Sequence, residues 1–285
     1  MSKLIDTYGR EHRNLRVSLT DRCSLRCTYC MPNDFAAWIP NGDLLTTNEL
    51  LTIIEVAVEQ GINEVRLTGG EPLLRPDIVE IVDRIAGLAN APRLTLTTNG
   101  LKLKELALPL AKAGLNRINV SLDTLSRERF KKLTYRDRFD DVIEGLHAAK
   151  AAGLFPIKVN TVLLQGINDD EAPALLAWAI ENEYSLRFIE QMPLDAGGIW
   201  DRATMVSADQ IYADLSRHYE LTPVDGRGSS PAEEFYINGT QATVGIIGSV
   251  TRPFCGACDR LRLTSDGQLR SCLFSNEEVD VRKVL

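Results

Sequence analysis

Strand-like apolar stretches alternate regularly with longer helix-like stretches over the first two thirds of the chain. A capping-box pattern from Thr46 to Glu49 marks the start of the first helix, and Gly61 marks its end. The predicted strands are residues 15–20, 64–68, 93–98, 116–122, 156–163 and 185–190. The predicted helices are residues 47–60, 77–88, 101–113, 140–151 and 170–181.

These repeats predict an α/β fold, because six strand–helix units with short turns favour a parallel sheet with right-handed crossovers. Six units are too few for a closed eight-fold barrel. An open, partial barrel and a doubly wound sheet both fit the pattern. The periodicity alone does not choose between them.

The regular alternation of strand-like and helix-like stretches ends after about Asp195. A helix is predicted at residues 207–219, with a second capping-box pattern from Ser207 to Gln210. Alternating segments then predict antiparallel strands at residues 234–237, 242–247, 261–264 and 268–273. We therefore expect a domain boundary near residue 200, with one domain over residues 1–200 and a β-rich domain over residues 201–285.

Polar residues collect at the carboxyl ends of the predicted strands, which is where parallel α/β folds place their chemistry. A strand buried on both faces should carry apolar residues on both. Instead, period two puts polar pairs on one face, and the repetition predicts a wet, charged cavity rather than isolated structural hydrogen bonds. The pairs are Arg66 with Thr68, Thr97 with Asn99, and Lys158 with Asn160.

The composition is that of an ordinary globular protein, with 285 residues, 44% hydrophobic and 25% charged. The amino terminus has no apolar leader and no run reaches membrane-spanning length, so we expect a cytoplasmic protein with no membrane contact. The net charge of −7 disfavours nucleic acid and other polyanions. A phosphorylated ligand would need positive charge concentrated locally.

The first of two cysteine groups has the spacing C-x₃-C-x₂-C and comprises Cys23, Cys27 and Cys30. Three close thiolates suit a cubane iron–sulfur cluster and leave one iron open for a small molecule. Zinc is the alternative, but a structural zinc site needs a fourth ligand, and none is evident. The three histidines, His12, His147 and His218, are distant and read as ordinary surface or core residues.

The second group comprises Cys255, Cys258 and Cys272, again without an obvious fourth ligand. A zinc ribbon with a missing partner remains an alternative here. Arg260 and Arg262 follow at strand spacing, so both point to one face. Two guanidinium groups beside metal ligands form a surface suited to phosphate.

The first group, together with TGGEP after the next strand, resembles the radical S-adenosylmethionine (SAM) superfamily. The resemblance implies that SAM binds the open iron and is reductively cleaved to methionine and a 5′-deoxyadenosyl radical. Tyr29 matches the aromatic residue near the adenine. Gly70 lies in the motif that meets the methionine amino group, and glycine there permits close backbone approach to a ligand. Ser121 and Met192 match further SAM-site positions.

Within that superfamily, the motifs TGGEPLLR, LTTNG, NVSLD, KVNTV, RFIE and C-x₂-C-D-R-x-R-x-T-x-D-G-x-x-x-x-C resemble the GTP 3′,8-cyclase family of molybdenum cofactor biosynthesis, from about Leu15 to Phe274. This implies an incomplete (βα)6 TIM-type barrel closed by a C-terminal β-rich cluster domain, with two [4Fe–4S] clusters and SAM as cofactors. Hydrogen abstraction from C3′ of GTP would then lead to bonding of C3′ to guanine C8. The substrate-binding positions implied are Arg16, Arg66, Thr97, Lys158, Arg260 and Arg262, of which the last two are also the catalytic candidates.

The same resemblance implies a flavodoxin- or ferredoxin-like electron donor, and the next pathway enzyme, cyclic pyranopterin monophosphate synthase, as partners, and it allows a homodimer. Family members normally continue past the last cysteine and end in Gly-Gly, whereas this sequence stops at Leu285. We therefore expect a truncated C-terminal domain. Such a truncation would affect catalytic activity more than it would affect cluster binding.

Three alternatives remain open from the sequence. One is another radical SAM enzyme with an auxiliary cluster, such as a peptide-modifying maturase, which would not need Arg260 and Arg262 after the second cysteine pair. Another is a non-catalytic iron–sulfur protein, which would not need TGGEP or cations on separate strands. The third is a zinc-stabilised nucleotide-binding protein.

Overall fold

One continuous sheet organises the molecule in this computed structural model, which describes residues 3–31, 37–195, 197–198, 200–275 and 277–285. Within those ranges the sheet has 12 strands. They are β1 (Asn14–Ser18), β2 (Glu64–Thr68), β3 (Arg93–Thr98), β4 (Arg117–Ser121), β5 (Lys158–Val162), β6 (Ser185–Ile189), β7 (Leu221–Pro223), β8 (Glu233–Ile237), β9 (Thr243–Ile247), β10 (Arg260–Leu263), β11 (Gln268–Arg270) and β12 (Val279–Asp280).

The α-helices alternate with the strands of the amino-terminal part. They are α1 (Thr47–Glu59), α2 (Ile78–Ala86), α3 (Leu103–Lys112), α4 (Arg127–Thr134), α5 (Phe139–Ala151), α6 (Ala172–Glu181) and α7 (Ala208–Leu215). Both predicted capping boxes are present, with the Thr46 and Ser207 side chains accepting from the third helical N–H. No helix in the described ranges is long and apolar enough to cross a membrane.

The strand order decides between the two architectures. β1 to β6 lie side by side in chain order, and every neighbouring pair is parallel. A doubly wound sheet would reverse its strand order in the middle. Successive right-handed crossovers in one direction put the helices on one face, so the sheet is an incomplete (βα)6 barrel with its other face inward.

The carboxyl-terminal strands extend both edges of this barrel. β9 pairs in parallel with β6, and β10 pairs in parallel with β1. The antiparallel pairing expected for this region is present between β8 and β9 and between β10 and β11. Residues beyond 200 thus continue the same sheet, and the division into two domains at that position stays a prediction.

Each barrel strand separates an apolar outer face from a polar inner face. Leu15, Val65, Ile118 and Phe188 are buried beneath the helices at 1% exposure or less. Full burial of such side chains contributes about 1.5–3 kcal/mol each to folding. The intervening positions carry the arginines, threonines and asparagines that face inward, so hydrophobic packing holds the barrel from outside and leaves its interior for polar groups.

Candidate functional site

The first cysteine group lies in the loop that leaves the carboxyl end of β1. The N–H of Gly70 donates to the Thr20 carbonyl oxygen at 2.7 Å, and the N–H of Glu71 donates to that of Arg22 at 2.7 Å. A Cβ atom at Gly70 would clash with the carbonyl oxygens of Asp21 and Arg22. Contact between two backbone segments therefore already requires glycine here, apart from any approach of a ligand.

Glu71 is a buried carboxylate that joins this corner to β3. Its Oε1 accepts from Thr98 Oγ1 at 2.7 Å and from the Leu73 N–H at 3.0 Å, and its Oε2 accepts from the Asn99 N–H at 2.7 Å. Burial raises the pKa of Glu71, although these donors oppose the rise. Asn99 Nδ2 also lies 3.8 Å from the Cys23 sulfur, which connects β3 to the first thiol.

The predicted SAM-site residues all lie at this carboxyl end of the barrel. Tyr29 Oη donates to Asp123 Oδ2 at 2.7 Å, just beyond β4. Ser121 is the last residue of β4, and Met192 follows the end of β6 and is half-buried. Tyr29 belongs to the first cysteine loop itself, whereas Gly70, Ser121 and Met192 lie at the carboxyl ends of three other strands, β2, β4 and β6.

The first three thiols are close enough to influence one another. Burial raises the pKa of Cys27 well above its usual value, and the charges of Asp123, Cys30 and Cys23 raise it further. Among the described residues, no three His, Cys, Asp or Glu side chains converge on a point that one metal ion would fill. In a cubane cluster each cysteine ligates its own iron, and three neighbouring free thiols fit that arrangement.

The second cysteine group lies at the opposite end of the barrel. Cys255 and Cys258 precede β10, which runs parallel to β1, and Cys272 follows β11, which runs back. All three therefore lie where β1 begins. Arg10 Nη1 donates to the Cys255 carbonyl oxygen at 2.7 Å, and the Phe274 N–H donates to the Cys272 sulfur at 3.5 Å.

Between the two cysteine groups, a row of residues dominated by arginine crosses the inner face. Arg262 is in register with Arg16, and Arg16 with Arg66. Arg66 is in register with Thr95, to whose Oγ1 its Nε donates at 3.2 Å, and Thr95 is in register with Arg117. Laterally paired residues point to the same side of a sheet, so the whole row lines the interior.

A second row lies nearer the carboxyl ends of the strands. Thr97 is in register with Asn119, and Asn119 with Lys158. Arg187 is in register with Asn160, which lies two residues beyond Lys158 on the same face of β5. The interior thus gathers most predicted substrate positions and adds Arg117 and Arg187, which were not predicted as site residues.

Two carboxylates offset part of this charge. Glu64 Oε1 lies 2.9 Å from Arg66 and 3.7 Å from Arg117, and Glu234 Oε1 lies 2.6 Å from Arg187. Several donors and acceptors nevertheless stay available for a ligand. In the described part of the chain, the buried inward-facing atoms without a hydrogen-bond partner include Nε of Arg16, Arg117 and Arg187 and Oδ1 of Asn119 and Asn160.

Burial and neighbouring like charges lower the pKa values of several cations in the cavity. Burial lowers the pKa of Arg16 well below its usual value, and Arg66 and Arg262 lower it further. Burial and the nearby Arg187 lower the pKa of Lys158 to about 7. A bound polyanion would relieve this repulsion. An acidic protein of net charge −7 therefore concentrates its cations in one cavity.

Arg260 joins the two edges of the open sheet. Its Nη2 donates at 3.0 Å to the carbonyl oxygen of Ser229, which lies in the loop between β7 and β8 at the far edge. Its guanidinium carbon also lies 4.6 Å from the ring centroid of Phe254. Arg260 is only 5% exposed, and its hydrogen bond to Ser229 links the two edges of the sheet beside the second cysteine group.

The two-residue alternation of side chains along a strand could have identified Arg117 and Arg187, which the sequence analysis did not predict as site residues. Arg117 precedes Asn119 by two, and Arg187 belongs to the RFIE motif. Glu234 is different, because its approach to Arg187 depends on the order β6-β9-β8, which no local pattern encodes.

Two protein families match successive parts of the chain. Residues 17–179 match the Radical SAM superfamily, and residues 184–285 match Molybdenum Cofactor Synthesis C. Solved structures agree with the fold. Streptococcus suis SuiB bound to S-adenosylmethionine superposes with a TM-score of 0.70 at 17% identity, over 97% of this chain and 65% of SuiB. AdoMet-bound anSMEcpe gives 0.62 at 12% identity, over 95% and 76%.

Curated relatives are much closer in sequence. The GTP 3′,8-cyclase of Streptomyces coelicolor is 59% identical over 285 residues, covering 99% of this chain and 84% of the relative. That of Mycolicibacterium smegmatis is 52% identical over 288 residues, covering 99% and 80%. This chain thus belongs to the GTP 3′,8-cyclase family of radical SAM enzymes, and membership implies [4Fe–4S] clusters and S-adenosylmethionine as its cofactors.

Proposed function

We propose that this chain converts GTP to (8S)-3′,8-cyclo-7,8-dihydroguanosine 5′-triphosphate, the first step of molybdenum cofactor biosynthesis. One observation carries the proposal: a cavity lined by cations lies between two groups of three cysteines at opposite ends of one barrel. This arrangement supports a site for a polyanion between two sites for clusters. The high identity to curated GTP 3′,8-cyclases supports the same reading.

The first cysteine group would hold the cluster that binds SAM, and the second would hold a cluster beside the guanine. When bound, the first cluster would supply the electron that cleaves SAM to the hydrogen-abstracting radical, and the second would supply an open iron for the base. Tyr29, Gly70, Ser121 and Met192 would surround SAM. Their positions at or after the carboxyl ends of separate strands, at one end of the barrel, support this assignment.

The chain's own contribution is position and charge. Arg16, Arg66 and Lys158 would neutralise the triphosphate, with Thr97 beside them on the same face. Charge-assisted hydrogen bonds of this kind are strong in a cavity shielded from water. Fixing the nucleotide by its phosphates would hold its ribose toward the first cysteine group, which is the orientation that the chemistry requires.

Arg260 and Arg262 are proposed to act beside the second cysteine group. Burial and the charge of Arg260 lower the pKa of Arg262 to about 10. A guanidinium of lowered pKa is a better proton donor than an ordinary one. We therefore propose that this pair steadies the nucleotide after ring closure, and that Arg260 also keeps the sheet edge closed through Ser229.

Electron supply remains part of the proposal. Reductive cleavage of SAM requires one electron, and the nucleotide radical left by ring closure requires a second electron and a proton to give the dihydro product. A flavodoxin- or ferredoxin-like protein is the proposed donor. A homodimer and transfer of the product to the next pathway enzyme, cyclic pyranopterin monophosphate synthase, are proposed on the resemblance alone.

The test is an anaerobic assay of the protein reconstituted with iron and sulfide, given SAM, dithionite and GTP and analysed by mass spectrometry. The proposal predicts 5′-deoxyadenosine and the cyclised nucleotide from the unaltered chain. Cys27→Ser should abolish both products. Cys272→Ser should retain some 5′-deoxyadenosine and lose the nucleotide product. Formation of 5′-deoxyadenosine with GTP untouched by the unaltered chain would instead favour another radical SAM activity, such as peptide modification.

A further inference from the structure

A second cavity, the outer cavity, opens to the surface at the amino-terminal ends of β3, β4 and β5. Its volume is about 580 Å³, and its lining includes Arg93, Gly114, Asn116, Arg117 and Phe155. Two of these residues are arginines. Among the described residues of the two interior rows, only Arg117 also lines this cavity.

Arg117 is shared between this outer cavity and the interior. On the inside it ends the row that runs from Arg262 through Arg16, Arg66 and Thr95. Adjacent strands are about 4.8 Å apart, so Arg117 lies roughly 10 Å along that row from Arg66. The carboxylate of Glu64 lies between the two arginines.

Arg117 is poorly satisfied for a guanidinium that is only 12% exposed. Its ion pair with Glu64 is long, at 3.7 Å, because Glu64 is engaged by Arg66 at 2.9 Å. Among the residues that the structure places, its buried Nε has no hydrogen-bond partner. Burial and the charge of Arg93, which lines the same cavity, lower its pKa to about 10.

We propose that Arg117, with the exposed Arg93 beside it in the same cavity, forms a phosphate-binding subsite at the amino-terminal opening of the barrel. The first possible source of phosphate is the terminal phosphate of GTP, and for this source the inference rests on the proposed function. The triphosphate would extend along the arginine row from Arg16 and Arg66 to Arg117. The second source is free pyrophosphate, which would enter from solvent through the outer cavity. A buried guanidinium whose Nε has no partner and whose ion pair is long can bind either one by the same charge-assisted hydrogen bonds.

The test measures binding rather than turnover, by anaerobic equilibrium dialysis on the reconstituted holoenzyme. Labelled GTP and GDP are compared in the unaltered chain, Arg117→Gln, Arg117→Lys and Arg93→Gln. If the subsite takes the terminal phosphate, Arg117→Gln weakens GTP binding about tenfold, and GDP binding changes far less. Arg117→Lys should restore part of the affinity, because it keeps the charge without the fork geometry.

A second arm uses labelled pyrophosphate with GTP saturating. Binding that disappears in Arg117→Gln, with the GTP-to-GDP ratio unchanged, would support the subsite with free pyrophosphate as its ligand. Arg217→Gln, an exposed residue outside both cavities, is the matched control and should change nothing. Iron content and thermal unfolding show whether each variant is folded. If Arg117→Gln does not fold, Arg93→Gln still tests the subsite, because Arg93 is exposed.

Unchanged GTP, GDP and pyrophosphate binding in folded Arg117→Gln and Arg93→Gln would overturn the subsite and leave the proposed function intact. Failure of the unaltered holoenzyme to bind GTP would instead count against the proposed function. The two failures are thus distinguishable.

Discussion

Arg16 and Arg66 are register partners on adjacent parallel strands, so two guanidinium groups lie side by side on the inner face of the barrel. Like charges directly opposite each other in a sheet are destabilising. Burial makes the arrangement more costly, and Nε of Arg16 lacks a hydrogen-bond partner within the described ranges. Such strain is expected where a binding site is built for an opposite charge.

We therefore predict that Arg16→Met stabilises the ligand-free protein and weakens GTP binding. Removing one charge of the pair should raise the free energy of unfolding by about 1 kcal/mol. Losing a phosphate contact should weaken GTP binding about tenfold or more. Denaturant unfolding and equilibrium dialysis measure the two effects. A variant that loses stability and binding together would show that Arg16 is a structural residue instead.

The hydrogen bond from Tyr29 Oη to Asp123 Oδ2 leads to a second prediction. Asp123 is 7% exposed, and burial raises its pKa to about 6. Tyr29→Phe should lower the free energy of unfolding by about 1.5–3 kcal/mol, because a buried carboxylate loses a donor. It should also weaken SAM binding, since the ring loses its anchor. Tyr8→Phe, at an 82% exposed position, is the control and should change neither quantity.

Equal stability of these two tyrosine variants would contradict the anchoring role of Asp123. Normal SAM affinity in a destabilised Tyr29→Phe would limit that role to folding.

The packing at Gly70 predicts a selective loss of iron. An alanine Cβ would meet the carbonyl oxygens of Asp21 and Arg22, so Gly70→Ala must displace the first cysteine loop. We expect roughly half of the reconstituted iron to be lost, because the second cysteine group lies at the other end of the barrel. Gly42→Ala is the control, since no described atom lies within 4 Å of its added Cβ. Full iron content in Gly70→Ala would contradict this account of the loop contact.

The lowered pKa of Lys158 predicts that GTP binding takes up a proton. Burial lowers this pKa from 10.5 to about 7, aided by Arg187, Arg117 and Arg66 and opposed by Glu234. A bound triphosphate favours the ammonium form, so above pH 7 the amine must gain a proton on binding. GTP affinity should therefore fall as pH rises from about 7 to 9, by up to tenfold per unit.

Calorimetric titrations at pH 8, in buffers of different ionisation enthalpy, count that proton. Lys158→Met should abolish the uptake, and equal uptake in both proteins would assign it to another group. In the ligand-free protein, the unfolded chain binds more protons than the folded one between about pH 7 and 10.5. Lys158 therefore contributes stability that increases with pH across that window.

Most of the barrel could be predicted from sequence because each strand carries its own evidence. Residues 64–68 and 93–98 were predicted with the bounds that β2 and β3 have. The helix Arg127–Thr134 was missed, since its mean composition is strongly polar and only Phe130, Leu133 and Thr134 are buried. The two short strands β7 and β12 were also missed, because pairing with a neighbour defines them more than their own pattern does.

Part of the candidate site also followed from the sequence, and the roles of its residues stay predictions. Motif positions on β1, β2, β5 and β10 led to Arg16, Arg66, Lys158 and Arg262. The order of the strands in the sheet was not predictable from periodicity, because a right-handed strand–helix–strand unit has the same sequence pattern whichever strand it lies beside. Contacts that depend on that order, such as the one from Arg260 to Ser229, were therefore beyond the reach of sequence patterns.

The central claim is that GTP lies between the two cysteine groups with its ribose toward the first. The most direct measurement is deuterium transfer from GTP labelled at C3′, with anaerobic reconstituted protein, SAM and dithionite. The account predicts that mass spectrometry finds the deuterium in 5′-deoxyadenosine and that the cyclised nucleotide has lost it. Unlabelled 5′-deoxyadenosine, with the deuterium retained in GTP, would contradict the account.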